Sequence, residues 1–396
     1  MANETPIHIP EGINYSCTGC GKCCGEWSVP LTEVDYERIS DMDFESQPEY
    51  RGKKLFSPLS LHEKEGLPFT HVIVATDDGY CPFLKDHLCV IHATHGAEAK
   101  PQTCQLFPYT FTQTPTGAYA TVSMVSLAAM YNVGTPLKEQ QDYLRIKLDE
   151  YEKVMSAHAP DWSHIQLVGG QKLDWQTYLE YEKELLSCLK DKSMYLEERL
   201  LKGSDFLMSK LEKPRAATDA EQTTLKKLDR HLLSALHKIY LPHKPPKRWE
   251  AHFNPLRFVF QNTFEKPDFR LKPRSYTLEE LQTVEWPAKD AEIEDMLYRY
   301  LYQRIFGKFY FGGGFAQITL ITGYHHLILV YALIKVHAKA IAFEREATKV
   351  SLDDVAETIR LLEKYLGQTH ISGYAAAAYE LLMFSPQRIR RVLIST

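Results

Sequence analysis

Residues 17–24 read CTGCGKCC, which puts Cys17, Cys20, Cys23 and Cys24 within eight positions. The chain has eight cysteines in all, so half of them stand here. The spacing is C-x2-C-x2-C-C. Two-residue gaps let a tight loop turn successive sulfurs toward one centre. Gly19, Gly21 and Gly25 permit positive φ and leave backbone N–H groups free to bond sulfur. Cys23 and Cys24 are adjacent, so their side chains are expected to point in different directions.

Working outward, three more cysteines follow within the first 104 residues: Cys81, Cys89 and Cys104. Iron–sulfur proteins use C-x2-C-x2-C with a distant fourth cysteine, and tetrathiolate sites also suit zinc. The triplet spacing favours an iron–sulfur cluster, 4Fe-4S, over zinc. Seven thiols exceed the four that one centre needs. Two centres, one cluster with spare thiols, or a mixed site with His92 or His95 in "CVIHATH" all fit the count. Cys188 lies in the helical pattern "YEKELLSCLK" and reads as a small buried apolar residue.

The start, "MANETPIHIPEGINY", shows neither the basic region nor the apolar core of a secretory signal. The expected compartment is the cytoplasm, where clustered cysteines read as metal ligands rather than as a disulfide framework. Residues 1–135 carry 8 Lys and Arg against 16 Asp and Glu. That acidic balance argues against a nucleic-acid partner. Arg388, Arg390 and Arg391 near the C-terminus read as a helix end or a solvated face.

One stretch tests the expectation of no membrane span. From Phe309 to Ile334 no Lys, Arg, Asp or Glu occurs, which is long enough to cross a bilayer. Gln317, Thr319, Thr322, His325, His326 and a triple glycine favour a buried core helix instead. The adjacent His325 and His326 must face different ways; satisfied core histidines are expected there.

The fold class expected is α+β: a small cysteine-rich metal-binding module, residues 1–135, followed by a mostly α-helical domain, residues 136–396. A sub-boundary is expected near 212–250, where residues 212–222 and 241–250 read as linkers. "LTEVDYERIS" reads as a helix with Thr32 as N-cap and Asp35 three residues on. "THVIVAT" (70–76) and "GAYATVSMVS" (117–126) read as strands. Beyond residue 135, "PLKEQQDYLRIKLDEYEKVMSA" is helical. In residues 193–212, Leu196, Leu200, Leu201, Leu207, Met208 and Leu211 share one helical face. Thr277 to Glu280 is a capping box, and Ser351 with Asp354 caps a helix whose Leu352, Val355, Ile359, Leu362 and Leu366 face inward. No strand followed by G-x-G appears; "LVGGQ" (167–171) and "FGGGF" (311–315) read as turns or a helix start. No Ser/His/Asp or H-E-x-x-H arrangement is visible.

"CTGCGKCCGEWSVPLTEVDYERI" and "CPFLKDHLCVIHATHGAEAKPQTCQLFPYTF" resemble the YkgJ-type CxxCxxCC zinc- or iron-chelating cysteine-cluster family. The matching pieces are Cys17, Cys20, Cys23 and Cys24, then Cys81 to Leu84, Cys89 and Ile91, then Pro101, Cys104, Phe107 and Pro108. That likeness covers roughly the first 110 residues and implies zinc or iron binding. The whole-chain order is similar to the flagellin lysine-N-methylases, through Gly25 to Trp27, "TPTGAYATVS" and "LDWQTYLEYEKELL". This second likeness implies a protein-lysine N-methyltransferase that uses S-adenosylmethionine and takes a protein substrate by its lysine side chain. The competing readings are a non-catalytic zinc- or iron-binding scaffold and a thiol redox sensor.

Overall fold

The computed structural model describes residues 5–25, 29–60, 68–155, 161–213, 224–241, 255–264, 269–270, 275–310, 318–366 and 373–396. The glycines of "FGGGF" and most of both expected linkers lie outside these residues, as does Trp27. The chain divides into two compact units, residues 1–159 and 160–396.

The first unit is built from short elements, as its turn-rich sequence predicts. Tyr109–Thr114 and Gly117–Val122 form an antiparallel hairpin, and Ile7–His8 adds to it in parallel. Gly117 is obligatory at that join. Its φ is +128°, and a Cβ there would lie 2.4 Å from the Pro6 carbonyl oxygen. A second sheet orders Val29–Thr32, Phe69–Ile73 and Phe56–Pro58, all antiparallel. Helix Glu33–Ser40 starts from a capping box: the Thr32 hydroxyl accepts from the Asp35 N–H at 3.1 Å, and Asp35 accepts from the Thr32 N–H at 3.3 Å. Buried Val29, Leu31, Ile39, Phe44, Phe83 and Ile91 make the core between these pieces.

The change of character was expected at 135/136, but the compact units divide at 159/160. Helix Gln141–Met155 explains the difference, because it packs on the first unit. Tyr109 donates to Gln140 at 3.0 Å, Gln113 donates to Glu152 at 2.8 Å, and the Phe111 and Tyr151 rings lie 5.5 Å apart. A helical pattern records a helix, not the surface on which it settles.

The second unit is mostly helical. Helix Leu320–Glu344 is long and apolar enough to cross a membrane, yet 83% of its most apolar window is buried within the fold. Helices Leu352–Leu366, Leu196–Ser209, Lys227–Tyr240, Gly373–Met383 and Pro386–Ser395 pack against it. His325 and His326 are core residues. His325 bridges the Ser204 hydroxyl and the Met383 carbonyl, each at 2.7 Å, while His326 meets the Tyr240 hydroxyl at 2.8 Å. Val355, Ile359, Leu362 and Leu366 are fully buried, as their spacing predicts, whereas Leu352 in the first turn is only partly buried. Cys188 is buried in helix Trp175–Lys190. "LVGGQ" forms the turn of the hairpin Gln166–Val168/Gln171–Lys172.

The C-terminal arginines depart from expectation. Arg388 and Arg391 both donate to the buried carboxylate of Asp229, at 2.8–3.1 Å. A buried carboxylate needs paired donors, and here they come from 159 and 162 residues away. Arg390 alone is exposed, 3.6 Å from Asp205.

Candidate metal centre

The octapeptide folds as a loop ending in a single tight turn, Lys22–Cys24. Gly19 and Gly21 take φ of +64° and +69°, as the ligand-loop reading requires. Gly25 does not. Its backbone is extended, with φ −117°. It is small for a different reason: a Cβ there would sit 2.7 Å from the Tyr80 ring. Gly25 and Tyr80 pair as an antiparallel bridge, and the Cys81 N–H donates to the Cys24 carbonyl at 3.1 Å. That pairing brings the second group of cysteines to the first.

Cys81 opens a turn into the hairpin Leu84–Lys85/Leu88–Cys89, which pairs Leu84 with Cys89. Asp86 and His87 form its two-residue turn with φ of +49° and +65°, a left-handed pair that matches strand twist. Cys104 lies in the short helix Gln102–Leu106. Asp35 holds the entry to that helix: its carboxylate accepts from the Gln102 N–H at 3.2 Å and from Arg38 at 2.5 Å. Arg38 also donates to the Lys100 carbonyl at 2.9 Å and to Ala99 at 3.3 Å. The stem of the cysteine loop is tied at Ser16, whose N–H donates to the Val133 carbonyl at 2.9 Å.

One cavity of about 740 Å³ is lined by Cys17, Cys20, Cys23, Cys24, Cys81, Cys89 and Cys104 together. All eight cysteines stand as thiols. His92 lines the cavity, whereas His95 turns to Phe44, ring centroids 6.1 Å apart. Tyr15, Lys100, Tyr109 and His87 also face the cavity, and no sequence pattern singled them out. Among the described residues, no three His, Cys, Asp or Glu side chains close tightly enough on one point to hold a single ion as they stand.

The vicinal pair departs from the expected divergence. The Cys23 thiol donates a hydrogen bond to the Cys24 sulfur. That bond, with help from the Lys100 ammonium, draws Cys24 down to about 7 against the opposing effect of its burial, and holds Cys23 well above the ordinary thiol value. Burial pushes Cys81 up to about 12 and Cys104 higher still, and the neighbouring thiols add to it. Tyr15 is raised by burial and by Cys17, to whose sulfur its hydroxyl donates. Lys100 is the one positive group among the causes of these thiol shifts, and it cannot offset seven thiolates. A metal cation can, since thiolate is the ligand form and its charge is neutralised on binding. The donor set therefore fits a thiophilic metal.

Residues 16–125 match a family model described as "CxxCxxCC: Putative zinc- or iron-chelating domain". An uncharacterized protein of Methanocaldococcus jannaschii is 29% identical over 101 residues, covering 25% of this chain and 30% of that protein. No solved structure matches the chain. The helical unit lies beyond the family match, and the likeness to flagellin lysine-N-methylases gains no support from these relatives. Residues 16–125 are thus similar to the CxxCxxCC family, whose domain is described as zinc- or iron-chelating.

Proposed function

We propose that the first unit binds iron in iron–sulfur form, with ligands drawn from Cys17, Cys20, Cys23, Cys24, Cys81, Cys89 and Cys104. The observation that carries this reading is the single cavity on which all seven sulfurs lie. The C-x2-C-x2-C spacing favours a cluster over zinc. When bound, such a cluster supplies an electron-transfer centre or an open iron site. The chain's own residues supply the rest: Lys100 offsets charge, Tyr15 donates to a ligand sulfur, and Asp35 with Arg38 fixes the approach to Cys104. Iron and acid-labile sulfide in the purified chain, with visible absorption bleached by dithionite, test this. Colourless protein with stoichiometric zinc contradicts it.

The size of the cavity favours a second, catalytic reading. About 740 Å³ exceeds what one metal centre fills, and Tyr15, Tyr109, Tyr143, Glu139 and Asp142 line it beside the cysteines. Aromatic faces and carboxylates attract organic cations. The sulfonium of S-adenosylmethionine and a lysine ammonium are such cations, which suits a protein-lysine N-methyltransferase. Titration calorimetry of the iron-loaded chain with S-adenosylmethionine separates this enzyme from a non-catalytic metal-binding scaffold. Absence of binding heat removes the enzyme reading and leaves the metal reading standing.

A further inference from the structure

The seven sulfurs divide by what stands behind them. Cys81, Cys89 and Cys104 pack against one hydrophobic cluster that includes Phe83, Ile91 and Ala99. Cys17, Cys20 and Cys23 belong to the glycine loop and line the same cavity without that backing. Cys24 lacks that backing too, but it neighbours both Cys23 and Cys104. Its thiol is bonded to Cys23 on the loop side. Its carbonyl takes the Cys81 N–H on the other. Around Cys23 stand the thiols of Cys24, Cys20 and Cys17; around Cys104 stand those of Cys81, Cys24 and Cys89.

The count then becomes informative. One four-ligand centre leaves three thiols idle, and two separate centres need eight. Two four-coordinate centres that share one sulfur consume seven, the number on this cavity. We infer that the cavity holds two metal centres joined through the Sγ of Cys24, with Cys17, Cys20 and Cys23 completing one and Cys81, Cys89 and Cys104 completing the other. The inference rests on the metal-binding reading above and says how its ligands are divided. A bridging thiolate is deprotonated and shared, so both centres lose a ligand when it is removed.

Cadmium-113 serves as the probe, because it takes thiolate sites and reports each one by NMR. The full chain, prepared without metal and titrated with cadmium-113, is expected to bind two ions. It should give two resonances, each split by the other through the shared sulfur. Cys24→Ser should abolish the splitting, whereas Cys89→Ser should perturb the core-backed resonance more strongly. A single bound ion, or two resonances without mutual splitting, overturns the shared-ligand arrangement while leaving metal binding intact. No bound cadmium overturns both, so the two failures are distinguishable.

Discussion

The Arg38 guanidinium meets the Asp35 carboxylate at 2.5 Å, and the pair together binds the backbone of residues 99–102. Asp35 is only 2% exposed. Its helix thus carries the anchor for the segment that delivers Cys104. Asp35→Ala leaves the Gln102 N–H and Arg38 without their acceptor. It is expected to cost about 3 kcal/mol in urea unfolding of the full chain. Metal affinity should fall about tenfold or more, as when support behind a ligand is removed. Glu33→Ala, on an exposed neighbour of the same helix, should change neither by a measurable amount.

Gly134 closes the stem below the cysteine loop. Its φ is +105°, and a Cβ there would lie 2.4 Å from the Ser16 backbone nitrogen. Gly134→Ala must therefore move backbone, not a flexible side-chain tip. The expected loss is about 2–3 kcal/mol, with weakened metal uptake. Gly12→Ala is the comparison. Its φ is +71° but nothing lies within 4 Å of the added carbon, so only about 1 kcal/mol of backbone strain is expected. Thermal melts of the two variants check the ranking.

The helical unit should lose stability in mild acid. Burial lowers His325 to about 4 and His326 to about 3, against an ordinary value of 6.5. The unfolded chain therefore binds these protons first. The stabilisation is complete above pH 6.5 and is lost as pH falls toward 4 and 3. Each histidine contributes up to about 1.4 kcal/mol per pH unit in that window. Unfolding midpoints measured at pH 7 and pH 5 should drop accordingly. His326→Gln, though less stable at neutral pH, should show a shallower slope.

Local patterns in the sequence reported contacts three or four residues apart. The capping boxes at Thr32, Thr277 and Ser351 are read correctly for that reason, and so is the inward face of helix Leu352–Leu366. Asp35 was legible only as a capping residue, because its bond to Gln102 spans 67 positions. Arg391 and Asp229 were illegible on the same ground. Gly25 is a glycine because of Tyr80, a neighbour created by folding rather than a backbone demand. The cysteine spacing singled out seven side chains that the fold brings to one cavity. It carried no sign of Lys100, Tyr15 or Tyr109 beside it, since aromatic and basic residues are common and their convergence depends on the tertiary path.

Cys188 offers an internal control for the ligand set. It is buried in the helical unit, remote in sequence from the other seven. Cys188→Ser should leave metal content unchanged and cost roughly 1–2 kcal/mol through a polar group placed in an apolar setting. Cys104→Ser should instead lower metal content, by elemental analysis, while sparing the helical unit's circular dichroism.

The most direct measurement is the metal content of the freshly purified full chain beside a variant with Cys17, Cys20, Cys23, Cys24, Cys81, Cys89 and Cys104 all changed to serine. Iron with matching sulfide is expected in the native chain and none in the variant. Metal-free native protein, or a variant that retains the same metal, would contradict that expectation.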